Sequence, residues 1–69
     1  MADAIKFVTG EWVEVVEEHE RLVKGRRYYV WLSDTVNGIA RLSEGFGGAY
    51  SLPGSFTFEF LARAARKVT

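Results

Sequence analysis

Arg27 to Asp34, RYYVWLSD, constrains the chain more than any other stretch, because Asn37-Gly38 follows it within the reach of one turn. Aromatic and β-branched residues favour the pleated conformation, and Asn-Gly supplies the positive backbone angles of a hairpin. The segment therefore predicts a strand that pairs antiparallel with Ile39 onward. Its alternate faces are Tyr28, Val30 and Leu32 on one side, and Arg27, Tyr29, Trp31 and Ser33 on the other. Two registers suit the turn. A tight Asn-Gly turn pairs Val36 with Ile39, Asp34 with Arg41 and Leu32 with Ser43. A longer loop, Val36 to Gly38 with a glycine bulge, pairs Thr35 with Ile39, Ser33 with Arg41 and Leu32 with Leu42. The longer loop is preferred, because it gathers Val30, Leu32, Ala40 and Leu42 on one face.

That arrangement sends Tyr28 to the core and turns Tyr29 and Trp31 away from it, beside Arg27 and Arg41. Either a second layer covers this face, such as the segment from Trp12 to Val23, or an aromatic patch with arginines is exposed. Tyr, Trp and Arg are enriched in binding hot spots. Tyr29, Trp31, Arg41, Arg27 and Phe46 are accordingly the candidate partner-binding residues. Phe46 is either a plug folding back on the core or an exposed anchor.

The segment TGEWVEVVEEHERLVKG, Thr9 to Gly25, reads two ways. With period 3.6 it is a helix whose apolar face is Trp12, Val15, Val16, His19, Leu22 and Val23. With period 2, Trp12 to Val16 is a short strand followed by a polar excursion. Further along, SEGFGG is a loop, and Ala49 to Leu52 is a short strand closed by Pro53-Gly54. SFTFEF then alternates as a strand with Phe56, Phe58 and Phe60 inward. Residues 62–69 are expected to form a helical turn or a basic tail, and residues 1–5 to fray.

With 69 residues the chain is one domain. It buries only about 60% of its unfolded surface, so its core is marginal. Hydrophobic content of 48% marks it as globular. It has no Cys, hence no disulfide or thiolate metal site, which fits a reducing compartment. No secretory signal or membrane-spanning run stands out, so a cytoplasmic protein without membrane contact is expected. Net charge is zero but uneven: six acids and one base through Glu20, then eight bases and three acids. The expectation is that the acidic segment folds beside the basic ones.

Catalytic and cofactor motifs are weak. His19 is the sole histidine, and its flanking glutamates at adjacent positions do not converge on a tetrahedral metal centre. No nucleophile elbow accompanies Ser33 or Ser51. Gly45 to Gly48 lacks the Gly-Lys-Ser/Thr of a phosphate loop. No enzyme, metal or cofactor is expected.

The succession FVTGEWVEVV (Phe7 to Val16), LVKGRRYYV (Leu22 to Val30), NGIA (Asn37 to Ala40), GGAYSLP (Gly47 to Pro53) and FTFEF (Phe56 to Phe60) resembles small SH3-like β-barrel proteins. The resemblance is to the short uncharacterised ones of phages and bacteria. It implies an antiparallel barrel of about five strands with a short C-terminal helical turn, and it favours the strand at Trp12 to Val16. The alternative is an α+β fold, with a helix from Glu11 to Lys24 packed on a β-meander. The resemblance also implies a binding role rather than catalysis: a phage or mobile-element accessory protein acting as inhibitor or adaptor of a host protein, in the host cytoplasm. A protein is the first candidate partner. Nucleic acid is the second, through Arg21, Lys24, Arg26, Arg27, Arg63, Arg66 and Lys67 around the aromatics. A structural role through self-association is the third.

Overall fold

Val13 and Val15 face inward from Trp12–Val15, so the first ambiguous segment becomes strand β1, and the helical alternative is excluded. The computed structural model describes residues 5–68. After β1 come β2 (Arg27–Asp34), β3 (Ile39–Ser43), a single 3-10 turn at Phe46–Gly48, β4 (Phe56–Thr57), helix α1 (Phe58–Ala64) and β5 (Ala65–Val68). The five strands form one antiparallel sheet in the order β4-β3-β2-β1-β5. The sheet is not closed: among the described residues β4 and β5 remain its two edges. Helix α1 joins those edges and buries Phe58, Leu61 and Ala64.

The core gathers on one side of the sheet. Phe7, Val13, Val15, Leu22, Tyr28, Val30, Ala40, Leu42, Phe56 and Leu61 are its main members. Burying one such side chain contributes about 1.5–3 kcal/mol. Tyr28 keeps a polar handle there. Its hydroxyl accepts the Val23 N–H at 3.0 Å and ties the loop after β1 to the core.

Neither expected hairpin register forms. Asp34 pairs with Ile39, Ser33 with Ala40 and Leu32 with Arg41; Trp31 is then skipped, and Val30 pairs with Leu42. Asp34 sets the loop length. Its carboxylate accepts the backbone N–H groups of Val36 (3.0 Å) and Asn37 (3.1 Å) and the Asn37 side-chain amide (2.7 Å), while its carbonyl accepts the Gly38 N–H. That network favours a loop of Thr35 to Gly38 over a tight Asn-Gly turn. The skipped residue is a β-bulge, which reverses the in-out phase of the strand beyond it. Leu32, expected in the core, is therefore 41% exposed. Ser33 takes the inward place, and its hydroxyl donates to the Phe7 carbonyl.

Two further expectations give way. Ala49 to Leu52 does not form a strand; only Ser51 bridges to Ser43, because Tyr50 adopts a positive φ of 57° that interrupts the extended run. Only Phe56 and Thr57 of SFTFEF are extended. Thr57 caps a helix instead, its hydroxyl accepting the Phe60 N–H at 3.0 Å. The short C-terminal helical turn expected in residues 62–69 does form, but it starts earlier, at Phe58, and ends at Ala64; Ala65–Val68 then add β5 against β1, and residue 69 lies outside the described residues. Of the residues expected to fray, 1–4 lie outside the described ones.

The phase reversal has a measurable consequence. Leu61, fully buried, should lose about 2–5 kcal/mol of stability on Leu61→Ala. Leu32→Ala should cost under about 1 kcal/mol, where a core position would cost several times more. Urea unfolding of both variants checks this. Asp34 supplies a second expectation. The Asn37 side-chain amide, then the Asn37 backbone N–H, hold its carboxyl below the ordinary aspartate range against slight desolvation, with the Val36 N–H adding to them. A depressed folded-state pKa adds stability above the unfolded value and loses it as pH falls through the folded one. The stability gap between wild type and Asp34→Ala should therefore be widest near neutral pH and close in acid, measured as urea midpoints across pH.

Candidate partner-binding surface

The outer face of the sheet carries a row of rings. Pairing of β1 with β2 sets Trp12 opposite Tyr29, and their rings meet edge to face at 5.2 Å. The Phe46 ring, from the glycine-rich loop after β3, lies 5.0 Å from Tyr29 on another side. Tyr29 is thereby 7% exposed. It is not an open platform, and the cover expected from the segment at Trp12 comes from Trp12 and Phe46 jointly.

Trp31, the bulged residue, is half-buried. The 3-10 turn sits on it, and a β-carbon added to Gly48 would meet the indole ring at 3.4–3.5 Å and the Trp31 Cβ at 3.6 Å. The Arg41 guanidinium lies 5.4 Å from the same ring and donates to the Gly54 carbonyl at 3.3 Å. The indole Nε1–H is buried, with no hydrogen-bond acceptor among the described residues.

The remaining candidates divide. Phe46 is 76% exposed, with only one side of its ring against Tyr29, which makes it an anchor rather than a plug. Arg27 stands apart, 3.7 Å from Glu14, near the β5 side. The structure thus brings together Tyr29, Trp31, Arg41 and Phe46, and leaves Arg27 outside the group. Tyr50, 83% exposed on the same loop as Phe46, was missed by sequence reasoning. Its neighbours in GGAYSL suggest an alternating strand and hide the left-handed backbone that turns it outward.

The opposite charges do fold together. Glu11 pairs with Lys67 (3.2 Å), Glu14 with Arg66 (3.4 Å) and Arg27, Glu17 with Arg63 (3.8 Å) and Glu44 with Arg26 (3.3 Å). Each exposed pair contributes about 0–1 kcal/mol, so their effect is on surface potential more than stability. Arg21 lies over the Phe56 ring at 4.3 Å and donates to the Pro53 carbonyl at 3.0 Å. His19 packs on Phe60 at 4.8 Å and accepts the Arg21 N–H at 3.0 Å. Its ring is occupied in holding the loop after β1.

Compared with known protein families, curated proteins and solved structures, the chain matches none. The surface must therefore be judged on its own geometry. Tyr29→Ala should cost about 3–5 kcal/mol in urea unfolding, as loss of a buried aromatic does. Phe46→Ala should cost under about 1 kcal/mol. A reversed order would place Phe46, not Tyr29, in the packed layer.

Proposed function

We propose that the chain is a non-enzymatic protein-binding module of the adaptor or inhibitor kind, and that its contact surface is the loop Glu44–Ser51 with Trp31 and Arg41. One observation carries this reading: Phe46 and Tyr50, two large aromatics on one short loop, stand 76% and 83% exposed. Scattered exposed aliphatics such as Val36 are ordinary on small proteins. Two exposed aromatics on one loop, whose Gly48 lies against an arginine-capped indole, have the composition of an interface hot spot. An SH3-like topology is part of the proposal. The strand order, with β5 returning to β1 after a short helix, supports it.

Nucleic acid ranks below protein for an electrostatic reason. Arg26, Arg27, Arg63, Arg66 and Lys67 each lie within 4.0 Å of a carboxylate oxygen. Phosphate would have to displace those partners, and binding to it would fall steeply with salt.

The immobilised chain, incubated with cell extract, should retain a protein that Phe46→Ala/Tyr50→Ala retains at least about tenfold more weakly, a difference of roughly 1.4 kcal/mol. The variant's melting temperature should stay within a few degrees of wild type. Equal retention by both proteins refutes the surface. Tight binding of a labelled oligonucleotide, lost between about 50 and about 200 mM salt, transfers the role to nucleic acid.

A further inference from the structure

We propose that the outer edge of β5 and the groove beside it form a second binding surface, which takes an extended acidic peptide segment as an added strand. It uses none of the residues of the surface above and stands or falls without it.

The hydrogen bonds of β1 fix which way the backbone groups of β5 point. Val15 N–H donates to Arg26 O at 3.0 Å, and Glu11 O accepts the Val30 N–H at 2.8 Å, so the odd-numbered residues from Glu11 to Val15 bond β2. The even-numbered ones bond β5: Val16 N–H donates to Ala64 O at 2.7 Å. Val13 lies opposite Lys67 and Val15 opposite Ala65. The alternation of an antiparallel ladder therefore turns the N–H and C=O of Lys67, and the C=O of Ala65, away from β1. The Ala65 N–H donates to Leu61 O and closes helix α1. β5 is an edge of the sheet, and no backbone bond to another described residue takes up the outward groups of Lys67 and Ala65.

A groove of about 520 Å³ opens along that edge. Ala65, Arg66 and Lys67 line it together with Ile5, Phe7 and Ala62. Successive residues of a strand point to opposite faces, so a groove that three in a row line runs along the strand's edge. Among the described residues no backbone bond joins the run at Ile5–Phe7 to β5 across it. Ile5 is half exposed there and Ala62 is exposed, which leaves room for an apolar side chain beside the strand.

Charge selects the occupant. The lining also includes Lys6, so it holds three bases and no acid. A second copy of the chain fits poorly. Antiparallel registers that use the Lys67 N–H set Arg66 against Arg66 or Lys67 against Lys67 of the copy, and like charges directly opposite are destabilising. Basic residues on an edge strand thus guard it against self-pairing, and the same residues favour a segment with carboxylates. Arg66 and Lys67 already meet Glu14 at 3.4 Å and Glu11 at 3.2 Å. Lys6 has no carboxylate within 4.0 Å among the described residues, so the incoming acid settles there. A nucleic acid carries the right sign but has no run of N–H and C=O groups to continue the ladder. The ligand is a protein segment joined by main-chain bonds and oriented by its acids.

Amide exchange followed by NMR in the full chain tests the edge. In the free chain the Lys67 amide should exchange at least about tenfold faster than that of Arg66, which bonds β1. A capped hexapeptide of alternating valine and glutamate, at millimolar concentration, should slow Lys67 exchange about tenfold and leave Val30 unaltered. Its lysine counterpart should bind several-fold more weakly. Lys67→Pro removes the outward N–H without removing a bond to β1, and should weaken binding of the glutamate peptide about tenfold. Lys67→Gln keeps the N–H and should weaken it only about threefold. If Lys67→Pro lowers the melting temperature, the ligand supplies the same comparison: the glutamate peptide N-methylated at alternate residues should bind wild type about tenfold more weakly. A Lys67 amide already protected in the free chain overturns the proposal. So does a glutamate peptide that leaves Lys67 exchange unchanged, or that binds no more tightly than its lysine or N-methylated counterpart. Phe46→Ala/Tyr50→Ala should take up the peptide as wild type does, so its loss of retention in cell extract and the fate of this edge are read separately.

Discussion

One extra residue in β2 decides which side chains this domain presents on its outer face. Side chains on a strand alternate with period 2, so an inserted residue inverts everything beyond it. Before Trp31, the strand points Tyr28 and Val30 inward; after it, Ser33 faces the interior opposite Ala40. The adjoining strand β3 keeps Ala40 and Leu42 inward without interruption. The bulge thus spares β3 from matching a leucine at Leu32. It places Trp31, Leu32 and Arg41 together on the outer face. An unbulged β2 would set Leu32 on the inner side, where Ala40 and Leu42 are already fully buried.

The outer face solves a packing problem of small chains. Ten aromatic residues are too many for one core in 69 residues. Tyr28, Phe7, Phe56 and Phe58 fill the inner side, while Trp12 and Tyr29 form a second, thinner layer outside. Phe46 completes that layer with only part of its surface. The loop that carries it thus covers Tyr29 with one side of a ring whose other side stays exposed. A tighter cover would bury Phe46, and a looser one would expose Tyr29.

Much of the sheet was legible in the sequence. β2 and β3 follow from local composition and the Asn-Gly signal, whereas the segment at Trp12 reads equally as helix or strand until the resemblance to SH3-like barrels is weighed. Two devices were not legible, and both are single-residue hydrogen-bonding choices that override periodicity. Asp34 bonds its own loop and lengthens the hairpin, which shifts the register and demands the bulge. Thr57 caps a helix, which ends the apparent Phe56-Phe58-Phe60 strand after Thr57. β5 was hidden because Arg66 and Lys67 read as a basic tail. Their strand is stabilised by tertiary pairing with Val13 and Glu14, which local propensity does not report. In the candidate site, the chemical types of Trp31, Arg41 and Phe46 were readable. The burial of Tyr29 was not, because it depends on a loop whose path local sequence does not specify.

The charge pattern has a functional reading that follows from the fold. The acids just before, within and after β1 lie beside bases contributed by β2, α1 and β5, so a chain strongly bipolar in sequence becomes mixed in space. A surface neutralised in this way projects little long-range field. It neither steers an oppositely charged partner from a distance nor repels a like-charged one, and recognition falls to short-range contact. On the proposed binding role, the exposed rings of Phe46 and Tyr50 and the backbone-anchored Arg41 are the features that would discriminate between partners, because each works only at contact distance and only in one geometry.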